Sequence, residues 1–463
     1  MDAAWALAVA VSMLLATTPA ARADWGTFGY TPARSGYNPN EHTLTPANVG
    51  SLREAWSTYL GGIRGQPIVV ASVRLSTTET ADVVYAGTEG GRFAAVRAAD
   101  GGVLWKRTFG VADVPECHAT YGVTSTPALD RSRNGLYVVD GLGILRELDL
   151  ATGATKRSWT ITTNTKHEHV WSGLTLANGI LYVPVGGECD NPPYHGRVVA
   201  IDADTGKRIS TWYVTGRGGP DGGGIWGWGG VSVDPAKHAV YAASGNSVTH
   251  KEHDGYAEHV VRLSEHLKVK ASDYPGLPHG DADFGGGVLL YHVGGCPPQL
   301  AVGNKFGQLY VYNRNRIGHG PSQTLALGGS GDGSDALLSV PAAWTAKRLV
   351  YVPNPSTRGG YKRGMLALRV TSSCRLKLAW HASGPGRNTG GATVAGGVVF
   401  YGDGFDGKLV AFDALTGKRL WTSRSAVGGP VFNAPVVAGG TVYTGSWDAR
   451  LHAFRLASSA PAR

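Results

Sequence analysis

The sequence predicts an all-β fold, an eight-bladed β-propeller of four-stranded antiparallel blades, and three observations carry that reading. The 463-residue chain holds 68 glycines, 13 tryptophans and 19 tyrosines but only 17% charged residues, the balance of a large β protein with many tight turns. One unit recurs along it: an apolar strand with Tyr near its end, a glycine-rich turn, a second strand, Asp, a Thr-Gly or Gly-Gly turn, and often Trp. About eight such units of roughly 40 to 50 residues fit the chain, the period of a propeller blade.

Taken in order, Ala3 to Leu15 are nearly all apolar, and Ala21-Arg22-Ala23 closes the run as a small-x-small site. Residues 1–23 therefore read as a signal peptide cleaved after Ala23, too short to span a bilayer. No later stretch reaches membrane length, so 24–463 is expected to be one exported propeller domain, secreted or periplasmic, with no membrane span. A polar approach from Asp24 ends in a strand at Leu52 to Trp56. The repeat then runs from Val83 to Trp105 and returns in units ending at Trp159 and Trp212. It continues through the strands at Ala239, Leu309 and Leu349, the unit ending at Trp421, and the strand from Thr441.

In Ala411-Phe412-Asp413-Ala414-Leu415-Thr416-Gly417-Lys418-Arg419-Leu420-Trp421, alternation buries Ala411 and Gly417 permits the turn. Trp421 is placed to lie between neighbouring sheets, burying about 200 Å². Ala95, Gly101 and Trp105 share that spacing, whereas Trp159 and Trp212 come two residues later, so their docking contacts are expected to differ. A ring must close, and the strand around Ala55-Trp56 is the candidate to complete the sheet that the Thr441 strand begins, leaving no free edge.

The formal charge is +9, and removing 1–23 leaves it unchanged because Asp2 and Arg22 cancel. The basic pairs, among them Lys106-Arg107 and Lys418-Arg419, follow turns and do not alternate with aromatics, which excludes a nucleic-acid-binding stripe. Cys117, Cys189, Cys296 and Cys374 in an exported chain imply two disulfides with three possible pairings. No C-x-x-C-H occurs, against covalently attached haem. The stretch Gly222 to Asn246 carries Trp228, the turn Asp234-Pro235, the strand around Tyr241 and a Ser-Gly-Asn exit. By itself this reads as a structural tryptophan and a turn asparagine; at one rim of a sheet the same residues make a floor and a ligand.

Over nearly the whole chain after residue 23, these features resemble the pyrroloquinoline quinone (PQQ) β-propeller family, whose best-known members are the quinoprotein alcohol and methanol dehydrogenases. The opening Leu44-Thr45-Pro46-Ala47-Asn48-Val49-Gly50-Ser51-Leu52 with Trp56 and the Ala-x-Asp-x-x-Thr-Gly-x-x-x-Trp motif carry the likeness. The motif also occurs in non-catalytic propellers such as the outer-membrane assembly lipoprotein, so a binding or assembly scaffold is the alternative reading. Further matches stand in family order. Glu188 occupies the place of a carboxylate ligand for calcium, Trp228 that of the indole beneath the quinone, and Asn246 that of the amide-oxygen ligand. Pro278 to Phe284 resembles the segment with the catalytic aspartate, where spacing from His279 selects Asp283 over Asp281; Lys305 stands where a cation contacts the quinone oxygens.

The resemblance implies an enzyme binding PQQ and Ca²⁺, with Glu188, Asn246 and Asp283 as oxygen ligands for a hard cation. Asp283 would take the proton of an alcohol or sugar-like hydroxyl while hydride passes to the quinone, and Lys305 would stabilise the developing oxyanion. The substrate would be a small alcohol or polyol, and electrons would pass to an external acceptor. Departures are visible. The family's adjacent cysteine pair is missing, since His118 follows Cys117; its carboxylate-binding arginine has no match in 119–127; and Ala282 replaces the usual Trp. Pairing Cys117 with Cys189, and Cys296 with Cys374, would bring sulfur beside Glu188 and the cofactor. Lys166-His167-Glu168-His169 and His250-Lys251-Glu252-His253-Asp254 lack zinc-type spacing and read as polar loops lining the mouth, with His169 a cofactor or substrate contact.

Overall fold

The computed structural model describes residues 24–457 except 252–253, 278–280, 330, 332–334, 385–386 and 388–389. The leader, its cleavage point after Ala23, and Glu252, His253 and His279 lie outside the described residues. Eight blades of four antiparallel strands follow one another around an axis, and the short strand Tyr37–Asn38 adds a fifth, parallel strand to one of them, beside Ala392–Ala395. Blades 1 to 4 occupy 68–108, 128–160, 175–213 and 232–273; blades 5 to 7 occupy 289–326, 342–383 and 392–422. Blade 8 joins 436–456 to the early strand Leu52–Tyr59, whose register runs from Leu52 opposite Leu456 to Tyr59 opposite Arg450. The expected closure is thus the one observed. No described helix is long and apolar enough to cross a membrane.

Each sheet is packed on both faces by its neighbours, so its inner strands are apolar throughout. Val398–Gly402 is buried at every position, whereas the outer strand Arg419–Thr422 exposes Arg419. The tryptophans join blades as the motif suggests. Trp105 donates its indole N–H to Leu150 O at 3.0 Å, and Trp421 to Leu52 O at 3.0 Å. The turn glycines beneath are obligatory: Gly153 has φ +67°, and a Cβ there would lie 2.5 Å from the Trp105 ring. Trp159 and Trp212 pair one dipeptide further along their neighbouring strands, and the Trp212 indole N–H is buried without a partner among the described residues, so their docking does differ.

The approach segment is not a linker. It circles the axis and bonds the innermost strand of every blade in turn. Trp25 exchanges backbone bonds with Val69 of blade 1, and Gly26 O accepts from Leu129 N of blade 2. Thr27 donates to Leu174 O beside blade 3. Pro32, Ala33, Ser35 and Gly36 carbonyls accept from Val233, Leu290, Ala343 and Val394 of blades 4 to 7. Asn38 Nδ2 donates to Val437 O of blade 8. Arg34 is wholly buried at its centre, donating to Thr27 Oγ1 (2.7 Å), Phe28 O (3.0 Å) and Gly173 O (3.2 Å). Phe28 packs with Trp171, Trp228 and Tyr121, so this belt floors the axial channel.

The closing seam holds a buried charge relay. His452, with 1% of its side chain exposed, meets Glu54 Oε1 at 2.7 Å through Nδ1 and Asp448 Oδ2 at 2.9 Å through Nε2. Burial alone would lower the imidazole pKa, but Asp448 and Glu54 outweigh it and raise it. Such a group stabilises the fold fully below its unfolded pKa of about 6.5 and loses that contribution as pH rises through the higher folded value. Thermal melting across pH should therefore fall above about pH 6.5, and His452→Gln should flatten that slope. Near pH 6 the variant should be less stable by roughly 1.5–3 kcal/mol, the range for hydrogen bonds to charged groups; an unchanged slope would exclude His452 as its source.

Candidate active site

In a four-stranded antiparallel blade, the turn between its second and third strands and the link to the next blade lie at the same end. These loops converge over the axis around a cavity of about 560 Å³, opposite the N-terminal belt. Its lining includes Arg64, Trp171, Glu188, Cys189, Trp226, Trp228, Asn246, Asp283, Lys305 and Phe432. That size and mixed lining suit a small organic guest.

On one side Lys305 and the acidic groups meet. Asn246 N donates to Asp283 Oδ1 at 2.7 Å, and Lys305 Nζ lies 3.1 Å from Asp283 Oδ2 while also donating to Asp281. Asn246 Nδ2 donates to Asp190 Oδ2 at 3.0 Å, and Tyr194 holds the other Asp190 oxygen at 2.8 Å. Burial raises the Asp283 pKa to about 6, with Lys305 opposing and Asp281 reinforcing. Burial, then Asp283 and Asp281, push Glu258 to about 7. Burial would lower the Lys305 pKa, but Asp283 and Asp281 raise it, keeping the ammonium charged.

On the aromatic side, Trp226 and Trp228, separated by Gly227 at φ +87°, both line the cavity. Trp226 is the one beneath the charged groups, with Lys305 Nζ 4.9 Å from its ring centroid. Glycines wall this indole in: a Cβ at Gly285 would lie 2.3 Å from it and one at Gly245 3.0 Å. Trp228 stacks on Phe432, with centroids 5.9 Å apart, and stands edge-on to Trp171. Arg64 pairs with Glu89 Oε1 at 2.9 Å and lies 5.5–5.7 Å from the Tyr121, Trp171 and Trp447 rings.

The structure thus brings Asn246, Asp283, Lys305, Trp228, Glu188 and Cys189 to one cavity. Within it the Glu188 carboxylate accepts from the Tyr121 hydroxyl, whereas Asp190 is the carboxylate bonded to Asn246. Cys117 is joined to Cys189, and Cys296 to Cys374, the pairing put forward from the sequence as a hypothesis. Cys117 arrives on a small hairpin, Ala112–Val114 with Ala119–Tyr121, outside the blades. His169 is buried behind the lining, stacked on Tyr121 with centroids 4.1 Å apart, and burial lowers its pKa to about 4. Glu168 is an internal ion-pair partner of Arg197 at 2.8 Å. Trp226, Asp190, Glu258 and Arg64 were not singled out from the sequence, although Trp226 lies in the same glycine-rich stretch, Gly222 to Asn246, as Trp228.

The residues fit a hard cation beside a flat guest. The donors are oxygens throughout, Asp190, Asn246 and Asp283, and Glu258 Oε1 is buried without a hydrogen-bond partner among the described residues. Crowded carboxylates with raised pKa are what a divalent ion relieves. Among the described residues no three His, Cys, Asp or Glu side chains cage a metal by themselves, so the amide and the guest would complete the shell.

A family model described as outer membrane protein assembly factor BamB, PQQ_2, matches residues 34–212 and 375–460. A polyvinylalcohol dehydrogenase from a Pseudomonas species is 27% identical, the alignment covering 93% of this chain and 73% of that protein. The quinohemoprotein alcohol dehydrogenase ADH-IIG of Pseudomonas putida is 28% identical over 52% of this chain and 38% of its own length. Among solved structures, that of ADH-IIG superposes with TM-score 0.72 at 20% identity, covering 95% of this chain and 81% of that one. A europium-containing methanol dehydrogenase does so with TM-score 0.72 at 18% identity, covering 94% and 98%. These two likenesses show the shared fold.

Proposed function

The chain belongs to the PQQ_2 propeller family, matched over more than half its length, and from that premise we propose that it is a PQQ-dependent alcohol dehydrogenase acting outside the cytoplasm with calcium as its metal. The observation that carries this reading is the cluster of Asp283, Lys305 and Asn246 beside a glycine-walled indole in one cavity. An assembly scaffold has no use for buried like charges at its hub. The polyvinylalcohol and quinohemoprotein relatives support an alcohol as substrate; the external electron acceptor is part of the proposal, and since a europium enzyme shares the fold, calcium rests on the oxygen donor set.

PQQ, when bound, would supply a hydride-accepting carbonyl, and a cation held by the oxygen donors would supply Lewis-acid polarisation. Trp226 would support its plane, and Arg64, facing the cavity from the link into blade 1, would meet one of its carboxylates where the expected arginine of 119–127 is missing. Asn246 and Asp283, with a carboxylate of the blade 3 loop, would hold the cation. The Asn246 N–H fixes Asp283 Oδ1, and Oδ2, which faces Lys305 Nζ at 3.1 Å, is the oxygen that would accept the substrate hydroxyl proton. Lys305 sets its charge over the Trp226 ring, where negative charge develops. The Cys117–Cys189 disulfide and Tyr121 wall the side near Glu188 and help exclude water.

The direct test is reconstitution with PQQ and Ca²⁺ followed by dye reduction over a panel of alcohols; no turnover with any alcohol would end the proposal. Cofactor binding separates the two indoles. Trp226→Ala should weaken PQQ binding by about 10- to 100-fold, the value of one lost ring-stacking contact, as read by fluorescence titration. Trp228→Phe, which keeps a ring against Phe432, should change it less than about threefold. The opposite order would make Trp228 the floor.

A further inference from the structure

Two features of blade 7 have no role in that mechanism. One is a surface pocket of about 380 Å³ lined by Arg363, Lys408, Arg419 and Arg424, with Asp406 the single carboxylate. Among the described residues Arg363 and Arg419 donate to the carbonyls of Gly384 and Ser383, Arg419 also lies over the Phe412 ring, and no ion pair joins Lys408 or Arg424. Four cations facing one carboxylate repel one another unless an anion joins them. The other is an aromatic path out of the cavity. Phe432, stacked on Trp228, meets Phe405 edge to face with centroids 6.4 Å apart. Phe405 is 47% exposed and sits on the same turn as Asp406 and Lys408.

An exposed ring flanked by like charges is the anatomy of a docking patch, and charge of one sign selects and steers a partner of the other. We propose that the sector around Phe405, Lys408 and Arg424 docks an acidic one-electron carrier protein, with Phe432 and Phe405 bridging it to the cavity. The proposal rests on the dehydrogenase reading. Oxidation of the alcohol to a carbonyl releases two electrons and two protons; two oxidised carriers each take one electron, and the protons go to solvent. The cavity mouth, with Glu188, Asp190 and Asp281, repels an acidic partner, so the basic sector decides where it lands.

Hexacyanocobaltate(III), a redox-inert trianion, tests the surface on cofactor-free protein by calorimetry. Saturable binding that weakens with salt and disappears in Lys408→Glu/Arg424→Glu is expected; equal binding by that variant would overturn the proposal. In the reconstituted enzyme, the variant should lower the second-order rate of reoxidation by ferricyanide at least about tenfold, leave that by cationic hexaammineruthenium(III) undiminished, and keep reduction by alcohol unchanged. Phe405→Ala should slow reoxidation by both acceptors. An unchanged ferricyanide rate in the charge-reversed enzyme would reject the docking sector. Failure of alcohol to reduce the wild-type holoenzyme would instead strike the dehydrogenase reading and the carrier's role with it, whatever the cobaltate titration shows.

Discussion

Asp283→Asn is expected to lower alcohol-dependent dye reduction by about 10²- to 10⁴-fold, the range for loss of a positioned general base, in a protein that still folds. The change removes the proton acceptor and, with it, one negative ligand of the proposed cation. The amide oxygen can still accept from Asn246 N–H, and Lys305 keeps Asp281 as counter-ion. Stability should hold or rise, because burial disfavours the Asp283 carboxylate, whose pKa is raised to about 6, and the amide carries no charge to desolvate. Asp281→Asn is the control. Its side chain is 53% exposed, and the change should cost less than about tenfold. Near-normal turnover in Asp283→Asn, or the larger loss in Asp281→Asn, would remove Asp283 as the base.

What could be read in the sequence is whatever repeats or whatever sits at a turn. The blade count, the closing strand and the tryptophan docking follow from a motif recurring at a fixed period, since each unit must bury both faces against a copy of itself. The loops that meet over the axis were legible because glycine and asparagine mark strand ends. The belt from Trp25 to Asn38 was not, for a physical reason: it holds each blade mainly through backbone carbonyls, which every residue carries. Gly36 is its visible trace, with φ +60° and a Cβ position 2.6 Å from Ala342 Cβ.

Side chains were harder to place than loops. Glu188 and Asp190 share one loop, and Trp226 and Trp228 flank Gly227 in another, so counting along the chain cannot rank either pair. The structure ranks them by partners: Trp226 lies under Lys305 while Trp228 leans on Phe432, and Asp190 meets Asn246 while Glu188 meets Tyr121. His169 shows the converse. Its alternation with His167 suggests a shared polar face, yet stacking on Tyr121 draws it into the core. Glu258 had no motif at all, and its perturbation arises from neighbours distant in sequence.

The cation is expected to declare itself in stability before activity. Calcium at about one hundred times its dissociation constant should stabilise the cofactor-free protein by about 2.7 kcal/mol, because it binds the folded chain and not the unfolded one. Thermal melting with and without Ca²⁺ reads this directly. Asn246→Ala keeps the backbone N–H to Asp283 but loses the amide oxygen and the bond that aims Asp190, so it should abolish the gain and, in the reconstituted enzyme, nearly all turnover. Asp190→Asn keeps the shape but lowers the charge facing the ion, and should remove most of the gain. Glu188→Gln separates the two carboxylates of the blade 3 loop. Since Glu188 is held by the Tyr121 hydroxyl and lies near Arg64, this variant should retain most of the calcium effect. If Glu188→Gln abolished it while Asp190→Asn kept it, the ligand would be Glu188, and the Asp190 contact would only position Asn246.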